Sequence, residues 1–260
     1  MRHFLRQLWD FIGNWDHPTE KKGYKMKLEN IYEIKGQIIL KSGLRIGAGD
    51  MEMHIGGIDN PIIKHPYTQE PYIPGSSLKG KIRSLLELRS GLMSNTGGEP
   101  LSVKHLKQLS DDKKKQECRH ILQLFGISGA DADENSHIGP SRASFSDCPL
   151  DPDWKKIAIQ ANWAMTEVKS ENRINRIKGV AEHPRFTERV PAGAEFQFFI
   201  TVKQLDPSES ILLNLLMEGM KLLEMDALGG SGSRGYGRIQ FTFKDADMQK
   251  KFDEIKPFPG

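Results

Sequence analysis

An α+β fold with a large insertion is predicted from three features of the sequence. Residues 30–41, "NIYEIKGQIILK", alternate polar and apolar as a half-buried strand does. Leu78, Ile82, Leu85 and Leu86 follow the i, i+4, i+7, i+8 spacing of an amphipathic helix over 77–89. Phe196, Phe198, Ile200 and Val202 alternate along "EFQFFITVKQL" as a second strand.

The remaining elements fall in order around these. After the first strand, "SGLRIGAGD" turns through three glycines toward "GGIDNPIIKHPYTQEPYIPGSS". Ser76 or Ser77 is the expected N-cap of the first helix. Residues 91–115, rich in Ser, Gly, Asp and Lys, read as a mobile insertion holding a short helix. A second helix is expected over 116–125, ending at Gly126. "RASFSDCPL" and "WKKIAIQANWAMTEV" both read as strands. A polar, basic segment follows over 167–190, then the 195–204 strand, the apolar helix "SILLNLLMEGMKLLEMDALGG" and a closing strand in "GYGRIQFTF". The order strand, helix, strands, helix, strand resembles a ferredoxin-like or RNA-recognition-type core. There is no internal repeat, so residues 26–260 are read as one domain after an extension over 1–25.

Composition bounds the function. The 260 residues are 37% hydrophobic and 27% charged, those of an ordinary globular chain, with net charge +3. A pI of 8.7 permits nucleic-acid binding without demanding it, so local clustering must decide. Two cysteines, Cys118 and Cys148, are too few for a disulfide framework and suit a reducing cytoplasm. No uncharged apolar run of about 18 residues exists, so no membrane helix is expected. "MRHFLRQLWDFIGNW" carries helical apolar spacing but holds Arg6 and Asp10, against a signal peptide. It reads as a docking or membrane-surface helix, as a packed or frayed extension, or as sequence ahead of a start at Met26.

Four elements could carry chemistry. "PGSSLKGKIR" would offer phosphate the N–H groups and positive dipole end of a helix, with Lys79, Lys81 and Arg83 reaching outward; an ordinary capped helix is the equal alternative. It lacks the Walker spacing. "LGGSGSRGYGRIQF" sets five glycines among Ser231, Ser233, Arg234, Tyr236 and Arg238, which brings backbone close to a phosphate chain at Gly230, Ser231 and Gly232. The 167–190 segment, with Arg173, Lys178 and Arg185 among its cations, has too few large apolar residues for its own core and should protrude. Asp59 in "GGIDNP" is a turn-former before Pro61 by default. Otherwise it is a metal-binding or proton-handling carboxylate beside RNA, where a ribose 2′-OH attacks the adjacent phosphate. His105, Cys118, His120, His137 and Cys148 are spaced too loosely to make a structural zinc the expected reading.

Together "SGLRIGAGD", "IGGIDNPIIKHPYTQEPYIPGSSLKGKIRSLLE", "RVPAGAEF" and "GGSGSRGYGRIQF" resemble the repeated backbone subunit of type III-A CRISPR–Cas effector (Csm) complexes, within the RAMP superfamily. The resemblance spans roughly residues 26–243. It implies an RNA-recognition-like core, stacking of further copies of the chain in a filament along CRISPR RNA, other Csm subunits as partners and no membrane. It also implies metal-dependent cleavage of target RNA at regular intervals, Mg2+ being the expected ion. By matching positions Asp59 inherits the catalytic role. Arg45, Ser76, Ser77, Lys79, Lys81 and Arg83 inherit guide-RNA contacts, and the segment over about 165–190 inherits a β-hairpin thumb. Where some relatives carry Cys-x-x-Cys before "LFG", Cys118 matches the first position and Ile121 stands at the second, against zinc. A non-catalytic RNA-binding scaffold remains the alternative. A guide-processing nuclease is a third reading, with His54 a poor substitute for its histidine.

Overall fold

The computed structural model describes residues 27–49, 60–128 and 138–258. The extension over 1–25 therefore lies outside the described residues. The α+β class holds, with antiparallel sheets. Strand β1 (Asn30–Leu40) leads to helix α1 (Gly75–Arg89), the short α2 (Val103–Gln108) and α3 (Asp112–Phe125). Then come β2 (Ala143–Phe145), α4 (Pro152–Gln160), β3 (Glu167–Asn175), β4 (Val180–Arg189) and β5 (Glu195–Gln204). Helix α5 (Ile211–Met225), strand β6 (Ile239–Phe243) and α6 (Ala246–Glu254) close the chain.

Four strands form one sheet in the order β2-β5-β1-β6, every adjacent pair antiparallel. The register sets Ile34 against Ile200 and Ile38 against Phe196 and Phe241. One sheet face thus presents a continuous apolar surface, which enters the same core as Leu78, Ile82 and Leu86 of α1 and Leu216, Met220 and Leu223 of α5. Two glycines make this packing close enough. A Cβ at Gly36 would fall 2.0 Å from the Thr242 carbonyl oxygen, and one at Gly219 would fall 2.6 Å from Ile82 Cγ2. The other sheet face meets α4 through buried Asp151, which accepts from Gln37 and Gln197 at 3.0 and 3.1 Å.

Strands β3 and β4 stand apart as a two-stranded sheet, turned over residues 176–179. Most of their residues are exposed, as the shortage of large apolar side chains requires. Asn175 holds the turn by accepting from the Ile177 and Lys178 amides. His183, at φ 54°, and Pro184 fill the register shift midway along.

Three expectations are corrected. "WKKIAIQ" is helical, because Asp151 caps the Asp153 and Trp154 amides, Pro152 starts the turn, and Trp154 and Ala158 bury one helical face. Residues 91–115 are not a mobile insertion: Leu92, Leu101, Val103 and Leu106 are buried in the core, and α3 begins at Asp112 under an Asp111 cap. Neither Ser76 nor Ser77 caps α1; its N-cap position is Pro74. No helix among the described residues is long and apolar enough to cross a membrane.

Candidate nucleic-acid interface

The start of α1 is already held by protein. The Gly75 amide donates to Asp147 Oδ1 at 2.8 Å, and the Ser77 and Leu78 amides bond the Pro74 carbonyl. A side chain at Gly75 would meet the Phe145 carbonyl oxygen at 2.4 Å, so that approach requires glycine. The expected free anion site is thus corrected, since an aspartate occupies it in part. Ser76 is exposed and Ser77 half-buried.

The cations of α1 divide. Arg83 does not reach outward: Nε bonds Glu87 at 2.7 Å, Nη1 the Gly126 carbonyl at 3.1 Å and Nη2 the Leu101 carbonyl at 2.7 Å. Its fork is spent fixing the segment after α1, which corrects its expected role. Lys81 pairs with Asp226 at 2.7 Å, tying α1 to the end of α5. Lys79 has no ion pair among the described residues; burial, with Arg83 nearby, lowers its ammonium pKa.

The glycine-rich loop begins where α5 ends. Gly237 adopts φ +74°, and a Cβ there would sit 1.9 Å from the Leu228 carbonyl oxygen. That carbonyl belongs to a residue whose amide bonds back to Gly237 at 2.9 Å, which closes the loop. Gly230 N–H donates to the Arg45 carbonyl at 2.9 Å. Ser231 is left-handed at φ 65°, and residues 232–234 make one tight turn. Arg234 bonds Ser231 Oγ and pairs with Glu171 at 3.4 Å.

Tyr236 joins the loop to the hairpin. Its ring is fully buried, and its hydroxyl donates to Glu171 Oε1 at 2.8 Å. Lys169 Nζ and Arg189 Cζ lie 4.6 and 5.0 Å from the ring centroid, a cation on π arrangement. The Tyr236 bond and the cations around it hold Glu171 below its ordinary pKa, while burial and Glu171 push the Tyr236 hydroxyl up. Two features that read as separate in the sequence are therefore one unit.

Farther along the hairpin the charge is open. Glu167 pairs with Arg189 and Glu182 faces Lys178 at 3.8 Å. Arg173, Arg176 and Arg185 are exposed and carry no ion pair among the described residues. Such charges suit a polyanion, because each phosphate neutralised releases a counterion. Replacing all three with alanine should flatten the salt dependence of RNA affinity by about 2 in log–log slope, at about 0.7 per single-strand phosphate contact. A salt titration of the assembled complex measures it, and an unchanged slope would remove these side chains from the interface.

The β1–α1 connection converges on the hairpin base. Asn60 Oδ1 accepts from Arg45 Nη2 at 3.0 Å, and Asn60 bridges Thr187 in parallel register. Glu188 N–H donates to the Asn60 carbonyl at 3.1 Å. The Glu188 carboxylate, 3% exposed, takes the Ile62 amide at 3.1 Å and Lys64 Nζ at 2.5 Å. Arg45 Nε is buried and finds no acceptor among the described residues. Asp59 precedes Asn60 in the chain but lies outside the described residues.

Comparison with known proteins decides the family. The sequence profile of the RAMP superfamily matches residues 37–240. The chain belongs to the RAMP superfamily. Within it, a Methanothermobacter thermautotrophicus protein named CRISPR system Cms endoribonuclease Csm3 is 42% identical over 231 residues, 83% of this chain and 85% of that one. A Mycobacterium tuberculosis protein of the same name is 36% identical over 226 residues, 81% of this chain and 86% of its own. These values place the chain in the Csm3 family. Csm3 from Methanopyrus kandleri, 25% identical, superposes with TM-score 0.54 over 84% of this chain and 76% of that one. The Csm3–Csm4 subcomplex of the type III-A CRISPR–Cas interference complex matches at 26% identity and TM-score 0.51, covering 90% of this chain and 100% of that one.

For this Csm3-family chain the metal question turns on which acids are uncommitted. Glu188, Glu171 and Glu167 are each consumed by neighbouring donors. Among the described residues no three His, Cys, Asp or Glu side chains gather, so they do not by themselves supply a donor set. Cys118 and Cys148 are buried apart from solvent, their thiols pushed up to about 11 and about 12, chiefly by burial. His105 Nδ1 is taken by Ser102, and His137 lies outside the described residues.

The sequence missed Asn60, Lys64, Glu171, Glu188 and the joining role of Tyr236. The only local signal was the polar–apolar mixture of "NPIIK" and "RFTER", which gives no pairing.

Proposed function

We propose that this chain is a guide-RNA-binding backbone subunit of a type III CRISPR effector complex that cleaves guide-bound target RNA at regular intervals. The single observation that carries it is the junction at Asn60, next in sequence to Asp59, where the hairpin base meets the β1–α1 connection, whose Arg45 in turn holds the glycine-rich loop. Named relatives with 36–42% identity bear the word endoribonuclease. The strand order β2-β5-β1-β6, with helices α1 and α5 in the two crossovers, supports a ferredoxin-like core. Other subunits of the complex, CRISPR RNA, target RNA and further copies of the chain are the partners in this reading, and the cytoplasm is its place.

In the proposed reaction the ribose 2′-OH of the target attacks the adjacent phosphorus. The O2′–P bond forms, the P–O5′ bond breaks, the hydroxyl proton leaves to a base and the departing O5′ gains a proton. Products carry a 2′,3′-cyclic phosphate and a 5′-OH. Asp59 is the carboxylate at the reacting ribose. Arg45, Lys79, Ser76, Ser77, Gly230, Ser231, Gly232 and Arg234 lie along the guide strand. Lys81 serves as an electrostatic neighbour through Asp226 rather than as a free contact. A Mg2+ ion, where required, would rest on Asp59 and the RNA's own oxygens, as Mg2+ commonly binds one or two carboxylates plus substrate phosphates.

The test uses the complex assembled on guide RNA and a target bearing a single 2′-deoxy residue at one cut position. Cleavage there should stop while the other positions are cut normally. Continued cutting at the deoxy position would overturn the 2′-OH reaction.

A further inference from the structure

We infer that Glu188 is a positioning residue that fixes residues 60–64, the chain immediately after Asp59, to the hairpin base. The inference rests on the reading of Asp59 above.

Residues 60, 62 and 64 are all anchored by one pair of residues on β4. Thr187 bridges Asn60, the Glu188 amide bonds the Asn60 carbonyl, and the Glu188 carboxylate binds the Ile62 amide and the Lys64 ammonium. Between the anchored Asn60 and Ile62 stands Pro61, whose ring fixes its own φ and restricts the residue before it. Arg45 also holds Asn60, by donating to its side-chain oxygen. Residues 60–64 therefore have little freedom of their own.

A buried carboxylate is costly to place there. Apolar side chains in such a position often give equal stability, so an ion pair is a poor choice for stability alone and a good one for fixing geometry. Burial alone would raise the Glu188 pKa, but the bonds from Lys64 and the Ile62 amide bring it below its ordinary value. Because Glu188 belongs to the hairpin, RNA that seats the hairpin also sets the segment that follows Asp59. Chemistry that depends on in-line approach loses rate steeply when a reacting group shifts by about 1 Å.

The experiment uses the full complex on guide RNA, with Glu188→Gln, Lys64→Gln, the double variant and Asp59→Ala in parallel. Glu188→Gln keeps an acceptor for Ile62 but loses the charge pair. The expected result is guide and target affinity within about two-fold of the parent, with the single-turnover cleavage rate at saturating target down on the order of 10–100-fold. The double variant should be no slower than either single one, as coupled partners require. Lys64→Arg should recover most of the rate. If both single variants cut within about two-fold of the parent rate, the positioning role is wrong. It is equally wrong if their loss follows weakened guide binding, which is what a merely structural role would give. Should Glu188→Gln fail to assemble, the half-buried Lys64 variant decides by the same readings. Undiminished cutting by Asp59→Ala would instead strike the functional reading, and so tells the two failures apart.

Discussion

Glu209→Ala is expected to lower the unfolding free energy of the chain by about 3–5 kcal/mol, the cost of stranding a buried charge. Its partner Arg142 is completely buried and donates through Nε and Nη2 to the Glu209 carboxylate at 3.1 and 2.5 Å. Nη1 bonds the Ile138 carbonyl at 2.7 Å, and Glu209 also takes the Leu205 amide at 2.9 Å. The pair joins the start of β2 to the turn that opens α5, so it holds an edge strand to a core helix. Removing the carboxylate leaves a guanidinium without solvent or counter-charge. Replacing both partners, Arg142→Met with Glu209→Leu, should cost far less, because no charge is then left buried. Urea unfolding of the purified chain measures both. A loss below about 1 kcal/mol for Glu209→Ala would show that the site relaxes or hydrates, contrary to the packing described.

The sequence revealed the elements whose pattern is local. Strands β1, β5 and β6 show alternation of Ile34 with Ile38, Phe196 with Phe198, and Ile239 with Phe241, each a direct consequence of one buried sheet face. Helices α1 and α5 show their apolar stripes for the same reason. Helix α4 was misread because its short apolar density outweighed its Asp-Pro-Asp start, although Asp151 is an ordinary cap. Helix α6 went unread, since Phe252 is its only fully buried residue.

The site was legible only in pieces. The basic hairpin and the glycine-rich loop stand out by composition, but their junction depends on Tyr236 meeting Glu171 from 65 positions away. Spacing placed Arg83 off the apolar seam of α1, yet its direction is set by the carbonyls of Leu101 and Gly126, in segments brought back by tertiary packing. The Asp147 cap on Gly75 crosses 72 positions, and the grip of Glu188 on Ile62 crosses 126. No periodicity reports such pairings. Asp59 itself was a turn residue on local grounds and acquired its role from family resemblance.

Asp59→Ala carries the largest functional effect. A carboxylate that handles a proton or orients the reacting ribose typically contributes about 10²–10⁴-fold, so cleavage should fall by that order. Guide binding should not change, because the cations Lys79, Arg173 and Arg185 assigned to the RNA backbone lie on α1, β3 and β4. The loss should therefore appear in the cleavage step and not in assembly. The measurement is the single-turnover rate of target cleavage by the guide-loaded complex built with Asp59→Ala, beside its guide-RNA affinity. Intact guide binding with cleavage down by about 10²–10⁴-fold is the expected result; cleavage at the parent rate would take the catalytic role away from Asp59.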